Sequence, residues 1–290
     1  MFDFLKYRYV CAFFSVFFLV VGVAAYVIRG GFRYHIDFAG GTEVRIAFEK
    51  PLPIAQLRTT LSEKGWKDPV IQSLGSDGKE FLIVVAGQAG NAIEERFVKD
   101  VTSTITDNPM TIRNIDWVGA EVGKDIQWNA FLAVILSLLI LLLYIALRYR
   151  YKYAVGAVAA LAHDVLMVLV FFVVFGEQIS LNVLAALLAI LGYSLNDTIV
   201  IFSRIRENFE KVKGMSEYDI TNLSINQTLT RTLLTSFSTL LAVLSIFLLG
   251  GEPLRGFSLA MLIGIVFGTY SSIYIASPIM LALGSSQTKN

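Results

Sequence analysis

Six long apolar runs constrain this chain more than any other feature. A helix that crosses a bilayer needs about 20 mostly apolar residues, because its backbone must satisfy its own hydrogen bonds where water is absent. The runs are Val10–Ile28, Trp128–Leu147, Tyr153–Phe175, Leu181–Phe202, Arg231–Leu249 and Phe257–Leu283. Between the first two lie about 100 residues of ordinary soluble character. Only 16% of the 290 residues are charged, against about 25% in a soluble domain, and the apolar runs account for the difference. A hydrophobic share of 55% excludes a disordered chain. The near balance of 24 basic and 23 acidic residues lacks the basic excess of a nucleic-acid binder. A single cysteine, Cys11, excludes an intramolecular disulfide and a cysteine-based zinc site.

The first run has two readings. Gly22-Val23-Ala24 offers a small-residue cleavage site, but the apolar stretch exceeds the roughly 7–15 residues of a signal-peptide core, which favours a retained anchor. Orientation follows from lysine and arginine in the short connections. Lys6 and Arg8 precede the first span, Arg148, Arg150 and Lys152 follow the second, Arg204, Arg206, Lys211 and Lys213 follow the fourth, and Lys289 follows the last. Gly176–Ser180 carries no basic residue and Gly250–Gly256 only Arg255. Both termini are therefore expected in the cytoplasm. The expected organisation is a stub and first span over 1–28, an extracytoplasmic domain over 29–127, five spans over 128–283 and a cytoplasmic tail over 284–290. Ser203–Thr230 is polar with a periodic apolar residue, so 204–230 is predicted as a cytoplasmic amphipathic helix at the membrane surface.

The external segment alternates strand and helix signals. Glu43–Phe48 has period two; Pro53 opens a helix to about Lys64; Pro69–Leu74 and Glu80–Val85 flank the turn Gly75-Ser76-Asp77-Gly78; Gly90–Thr106 places Ile93, Phe97 and Val101 on one face; Met110–Val118 closes the series. The order β-α-β-β-α-β predicts a ferredoxin-like fold, so the fold class is six transmembrane helices plus an α+β external domain. That fold names no function. His35, alone beside Asp37, reads as a surface or packing histidine, and no catalytic or metal-binding spacing is present.

Ionisable residues inside spans are functional candidates by default. The third span holds His163 and Asp164, the fourth Asn196 and Asp197, and Arg231 heads the fifth. Asp197 lies seven residues before Arg204, roughly 10 Å inside the boundary. Arg231 enters from the same side, so an ion pair forms if the two helices adjoin; Arg231 can equally snorkel to headgroups. A carboxylate alternating between paired and protonated states would couple proton passage to helix movement. His163 and Asp164 point about 100° apart. Small residues form two faces, Gly264 with Gly268, and Ala185 with Ala189 and Gly192. Both read as packing surfaces within the bundle, with a partner interface as the alternative.

Several segments resemble one family. Ile36-Asp37-Phe38-Ala39-Gly40-Gly41-Thr42 is similar to the D-F-x-G-G-T signature of the SecD/SecF protein-export proteins. Val118-Gly119-Ala120-Glu121-Val122-Gly123 resembles their V-G-P-x-V-G motif, with Ala120 in place of proline. His163-Asp164, Gly192–Thr198, Arg204–Asn208 and Asn226–Thr232 match further motifs in order, although Ser203 stands where the family often has an acid. The single small external domain fits the smaller member of the pair. The resemblance implies an auxiliary subunit of export, related to the resistance-nodulation-division transporters, with no bond chemistry and no cofactor beyond a coupling proton. It implies a proton relay through Asp197 and Arg231, with His163, Asp164 and Asn196 as polar support. It also implies a SecD partner, the Sec channel, the exported polypeptide at the external domain, and the bacterial cytoplasmic membrane. Half of a small-molecule exporter and a scaffold for membrane insertion are the alternatives.

Overall fold

A computed structural model of the chain describes residues 1–66, 69–75, 77–85 and 91–285. In chain order the elements are α1 (Arg8–Arg29), β1 (Gly41–Phe48), α2 (Ile54–Glu63), β2 (Val70–Leu74), β3 (Glu80–Val85), α3 (Asn91–Thr102), β4 (Met110–Val118), α4 (Ala120–Arg148), α5 (Tyr151–Phe175), α6 (Leu181–Lys211), α7 (Glu217–Leu249) and α8 (Glu252–Ser271). A π turn, Ser272–Ala276, then leads into α9 (Ser277–Ser285). The expected tail beyond Ser285, with Lys289, lies outside the described residues, as do Ser76 of the expected turn and Gly90 at the head of the expected second helix.

Residues 34–130 form one compact unit. Its four strands are antiparallel in the order β2-β3-β1-β4. The period-two pattern of β1 sends Val44, Ile46 and Phe48 into one core with Leu57 and Leu61 of α2 and Phe97 and Val101 of α3. Trp66 closes this core and donates its indole N–H to Asp100 at 3.0 Å. The second helix is shorter than the expected span, ending at Thr102, because Ile105 turns back into the core.

Two glycine-rich signatures, 80 residues apart in sequence, meet in this unit. Residues 36–39 make one helical turn, and Gly40 and Gly41 follow at φ of 71° and 136°, a region that side chains rarely adopt. Gly123, in the first turns of α4, lies so close to this turn that a Cβ would sit 2.7 Å from the Phe38 carbonyl oxygen. Gln127 donates to the same carbonyl at 2.7 Å.

Residues 1–33 and 131–290 form the second unit, of which 1–33 and 131–285 are described. Among the described residues, six helices are long and apolar enough to cross a membrane. α5, α6 and α8 form the buried centre, α1 lies on α5, and α7 packs on α6 and α8. α4 alternates exposed and half-buried residues, with little of it fully buried. The predicted surface helix over 204–230 is not formed. α6 instead runs on to Lys211, a short turn with Gly214 at φ 84° reverses the chain, and Ser216 caps α7 by accepting from the Asp219 N–H. The polar residues that suggested a surface helix zip these two helix ends together. Asn208 donates to Ser224 and Gln227, both at 2.8 Å, and Arg204 donates to Gln227 at 2.6 Å. Asn222 and Asn226 of α7 bond the backbone of Phe2 and Phe4, which pins the N-terminal stub.

Candidate functional site

The bundle buries Asp164 of α5 and Asp197 of α6, and their surroundings differ. Asp164 of α5 is fully buried. Its Oδ2 accepts from Ser194 of α6 at 2.6 Å and from Ser271 of α8 at 2.9 Å. Its Oδ1 lies 3.2 Å from His163 Nδ1. The other ring nitrogen, His163 Nε2, is 3.1 Å from Ser15 of α1, and Ser15 is 3.0 Å from the Tyr270 hydroxyl. Tyr270 donates to the Cys11 carbonyl at 2.6 Å. A continuous polar chain thus ties α1, α5, α6 and α8 through the apolar interior. The 100° divergence of His163 and Asp164 is what lets them reach opposite neighbours.

Asp197 of α6 is also buried, at 3% exposure. Its carboxylate accepts from Ser236 of α7 at 3.3 Å, and Ser236 lies 2.7 Å from Thr269 of α8. One position on, Thr198 lies 2.9 Å from Ser272 at the start of the π turn. π turns concentrate at functional sites; here Ser271, the last residue before the turn, reaches Asp164, and Ser272, its first, reaches Thr198.

α6 and α7 do adjoin, yet among the described residues no ion pair joins Asp197 to Arg231. Ser236 and Thr235 of α7 meet Asp197, and Arg231, one turn before Thr235, acts on it by charge from beyond ion-pair distance. Arg231 lies on the exposed stripe that includes Leu234 and Leu241. Asn196 is exposed on α6.

The two small-residue faces separate. Gly264 packs on α6, where a Cβ would fall 2.3 Å from Ile190, and Gly268 packs on Ser194. Ala185, Ala189 and Gly192 do not pack within the bundle: they are exposed, and among the described residues nothing lies within 4 Å of a Cβ built on Gly192. The spacing of 185, 189, 192 and 196 keeps these residues on one stripe of α6, turned away from the contacts that Gly264 and Gly268 make.

Outside the spans, His35 is no bystander. Its Nε2 is 2.8 Å from Glu43 and its Nδ1 3.2 Å from Asp37. Burial pushes the imidazole down, but the hydrogen bonds and charges of Asp37 and Glu43 outweigh it and raise its pKa to about 9. Glu43 sits at an inconspicuous strand position, and only the pairing of β1 beside the signature turn exposes the cluster.

These features describe a multi-pass membrane protein with charged groups held inside its helical bundle. Residues 98–286 match the family described as protein export membrane protein SecD/SecF, C-terminal. The chain is 40% identical to the protein translocase subunit SecF of Escherichia coli O157:H7, over 90% of this chain and 82% of that one. It is 38% identical to the corresponding subunit of Thermodesulfovibrio yellowstonii, over 98% of this chain and 95% of that one. Among solved structures, SecDF from Thermus thermophilus, described as a translocon-associated membrane protein, matches with a TM-score of 0.86 at 36% identity. That match covers 98% of this chain but 39% of the SecDF chain. A second SecDF structure, in a super-membrane-facing form, matches with a TM-score of 0.71 at 34% identity, over 99% of this chain and 39% of that one. The chain belongs to the SecD/SecF family of protein-export membrane proteins and is an auxiliary subunit of protein export.

Proposed function

We propose that this subunit couples the proton gradient to polypeptide export together with a SecD chain, and that Asp197 is the site of proton exchange. The observation that carries this reading is a buried carboxylate met from one neighbouring helix: at 3% exposure Asp197 is held by Ser236 at 3.3 Å and by Thr235, both of α7, with the charge of Arg231 on the same helix acting on it. Its proton occupancy is set by its neighbours, so a change in packing between α6 and α7 changes the charge, and a change in charge changes the packing. Arg231, five residues away on α7, swings toward Asp197 if α7 rotates, which makes it the second member of the relay. His163 and Asp164 hold the surrounding helices, and Asn196 belongs to the surface met by the partner.

The matched SecDF structures, of which this chain covers 39%, support a SecD partner. The exposed stripe of Ala185, Ala189, Gly192 and Asn196 suits close approach of a partner helix. We read the mixed unit as a ferredoxin-like domain, supported by its β-α-β-β-α-β order and its strand order. The basic connections orient it to the outside of the bacterial cytoplasmic membrane, with both termini inside. There it meets the exported polypeptide or the Sec channel, and movement of the spans reaches it through α4.

The test is export in inverted vesicles with and without a proton gradient. Asp197→Asn should abolish the gradient-dependent part while the complex with SecD still copurifies. Arg231→Met should do the same. Full gradient-dependent export in both variants would favour a scaffold for insertion instead.

A further inference from the structure

A second cavity-lined site lies at the opposite pole from the buried carboxylates in chemical character. At the junction of α4 and α5, beside the extended end of α6, a cavity of about 610 Å³ is lined by Arg148, Arg150, Lys152 and Arg206. Two carboxylates also line it, Glu210 and Glu217. Among the described residues, neither forms an ion pair with any of the four cations. Three of the four rest on rings instead. Arg148 and Arg206 lie over Tyr149 at 5.5 and 5.2 Å, and Lys152 lies over Phe209 at 5.4 Å. Aromatic faces position a cation without neutralising it. The cavity also receives the start of α5, a 25-residue helix whose N-cap, Arg150, makes no side-chain capping bond. Free N–H groups and the positive helix end favour an anion there.

We propose that this cavity binds the phosphate of an anionic lipid headgroup. Its location decides the class of ligand. The walls are the ends of two membrane spans joined by only Tyr149 and Arg150, so the cavity opens at headgroup depth. Leu147 beside it is 81% exposed and offers an apolar surface to an acyl chain. Basic pockets between spans are a recurring headgroup site. Arg148 and Arg206, from α4 and α6, reach the cavity from two helices, so a bridging phosphate would also fix the otherwise sparsely packed α4 to the bundle.

The experiment is native mass spectrometry of the full chain released from detergent, with cardiolipin, phosphatidylglycerol or phosphatidylcholine added. The intact chain should retain the two anionic lipids about tenfold better than phosphatidylcholine or more, given roughly a kilocalorie of attraction for each headgroup-facing cation. The double variant Arg148→Gln/Arg206→Gln should lose that preference. Lys211→Gln/Lys213→Gln removes the same charge outside the cavity and should keep it. Unchanged circular dichroism melting shows that the first variant remains folded, and Lys152→Gln provides an independent single change. Equal retention of all three lipids would overturn the proposal, as would equal loss in the two double variants. Displacement of the lipid by millimolar inorganic phosphate would also overturn it, showing a site for small free anions. Retention of an acidic peptide in preference to lipid would show a protein-binding surface instead.

Discussion

Asp164 and Asp197 are the same residue type in the same bundle, and they are held in opposite ways. Asp164 is sealed by two hydroxyls and an imidazole from the same chain. Asp197 meets Ser236 at a longer 3.3 Å and Thr235, both from α7 alone, with the charge of Arg231 on that same helix. The contrast teaches that burial alone does not define a working carboxylate. A fully satisfied one binds helices together, because each partner would be left unpaired if it moved. A sparsely satisfied one can exchange its partner at little cost.

The sharpest way to break this comparison is the same substitution at both positions. Asp164→Asn should cost about 2–3 kcal/mol, since an amide cannot accept as a carboxylate does and leaves buried donors unmet. Thermal melting of the purified chain reads this, and a loss at Asp164 no greater than at Asp197 would undo the distinction. Gly268→Ala should cost about 1–2 kcal/mol by overpacking, because the new methyl would lie 3.0 Å from Ser194 and 3.6 Å from Asp164 Oδ2. The damage should appear as faster hydrogen exchange in α5 and α8 before α7. Asp197→Asn should change the melting stability by less than about 1 kcal/mol while removing gradient-dependent export.

His35 extends the comparison to a cluster that titrates in water. Its pKa is raised from 6.5 to about 9, so its contribution is complete below about pH 6.5 and is lost as pH rises through about 9. Exchange of the Phe38–Thr42 amides should therefore quicken across that window by about 1 kcal/mol or less. His35→Gln should flatten the profile.

The helical spans and the alternating strands were legible because length and period are written directly into the chain. So was the burial of Asp197 inside the helical bundle, as an ionisable residue within an apolar run. The partners of the carboxylates were not. Serines and threonines in these spans look alike in sequence, yet Ser258 and Ser245 bond their own backbone four residues back while Ser194 and Ser236 reach across to carboxylates. Which they do depends on helix phase, and phase is set by packing. The same cause leaves Arg231 without an ion pair to Asp197 although the two helices adjoin, since Ser236 and Thr235 take the carboxylate. The polar stretch 204–230 misled for a related reason, since hydrogen bonds between two helix ends have the same composition as a wetted helix face.

The π turn at Ser272–Ala276 has a consequence for how the last span can move. One extra residue in a turn advances every later side chain by about 100° relative to an unbroken α-helix. Gly264 and Gly268 therefore address α6, whereas Ala276 and Met280 address α5 at Gly156. The last span is two rods on one axle, offset like the throws of a crankshaft. Deleting a single residue within 272–276 would realign the throws, so the length of that turn matters more than the identity of any side chain within it.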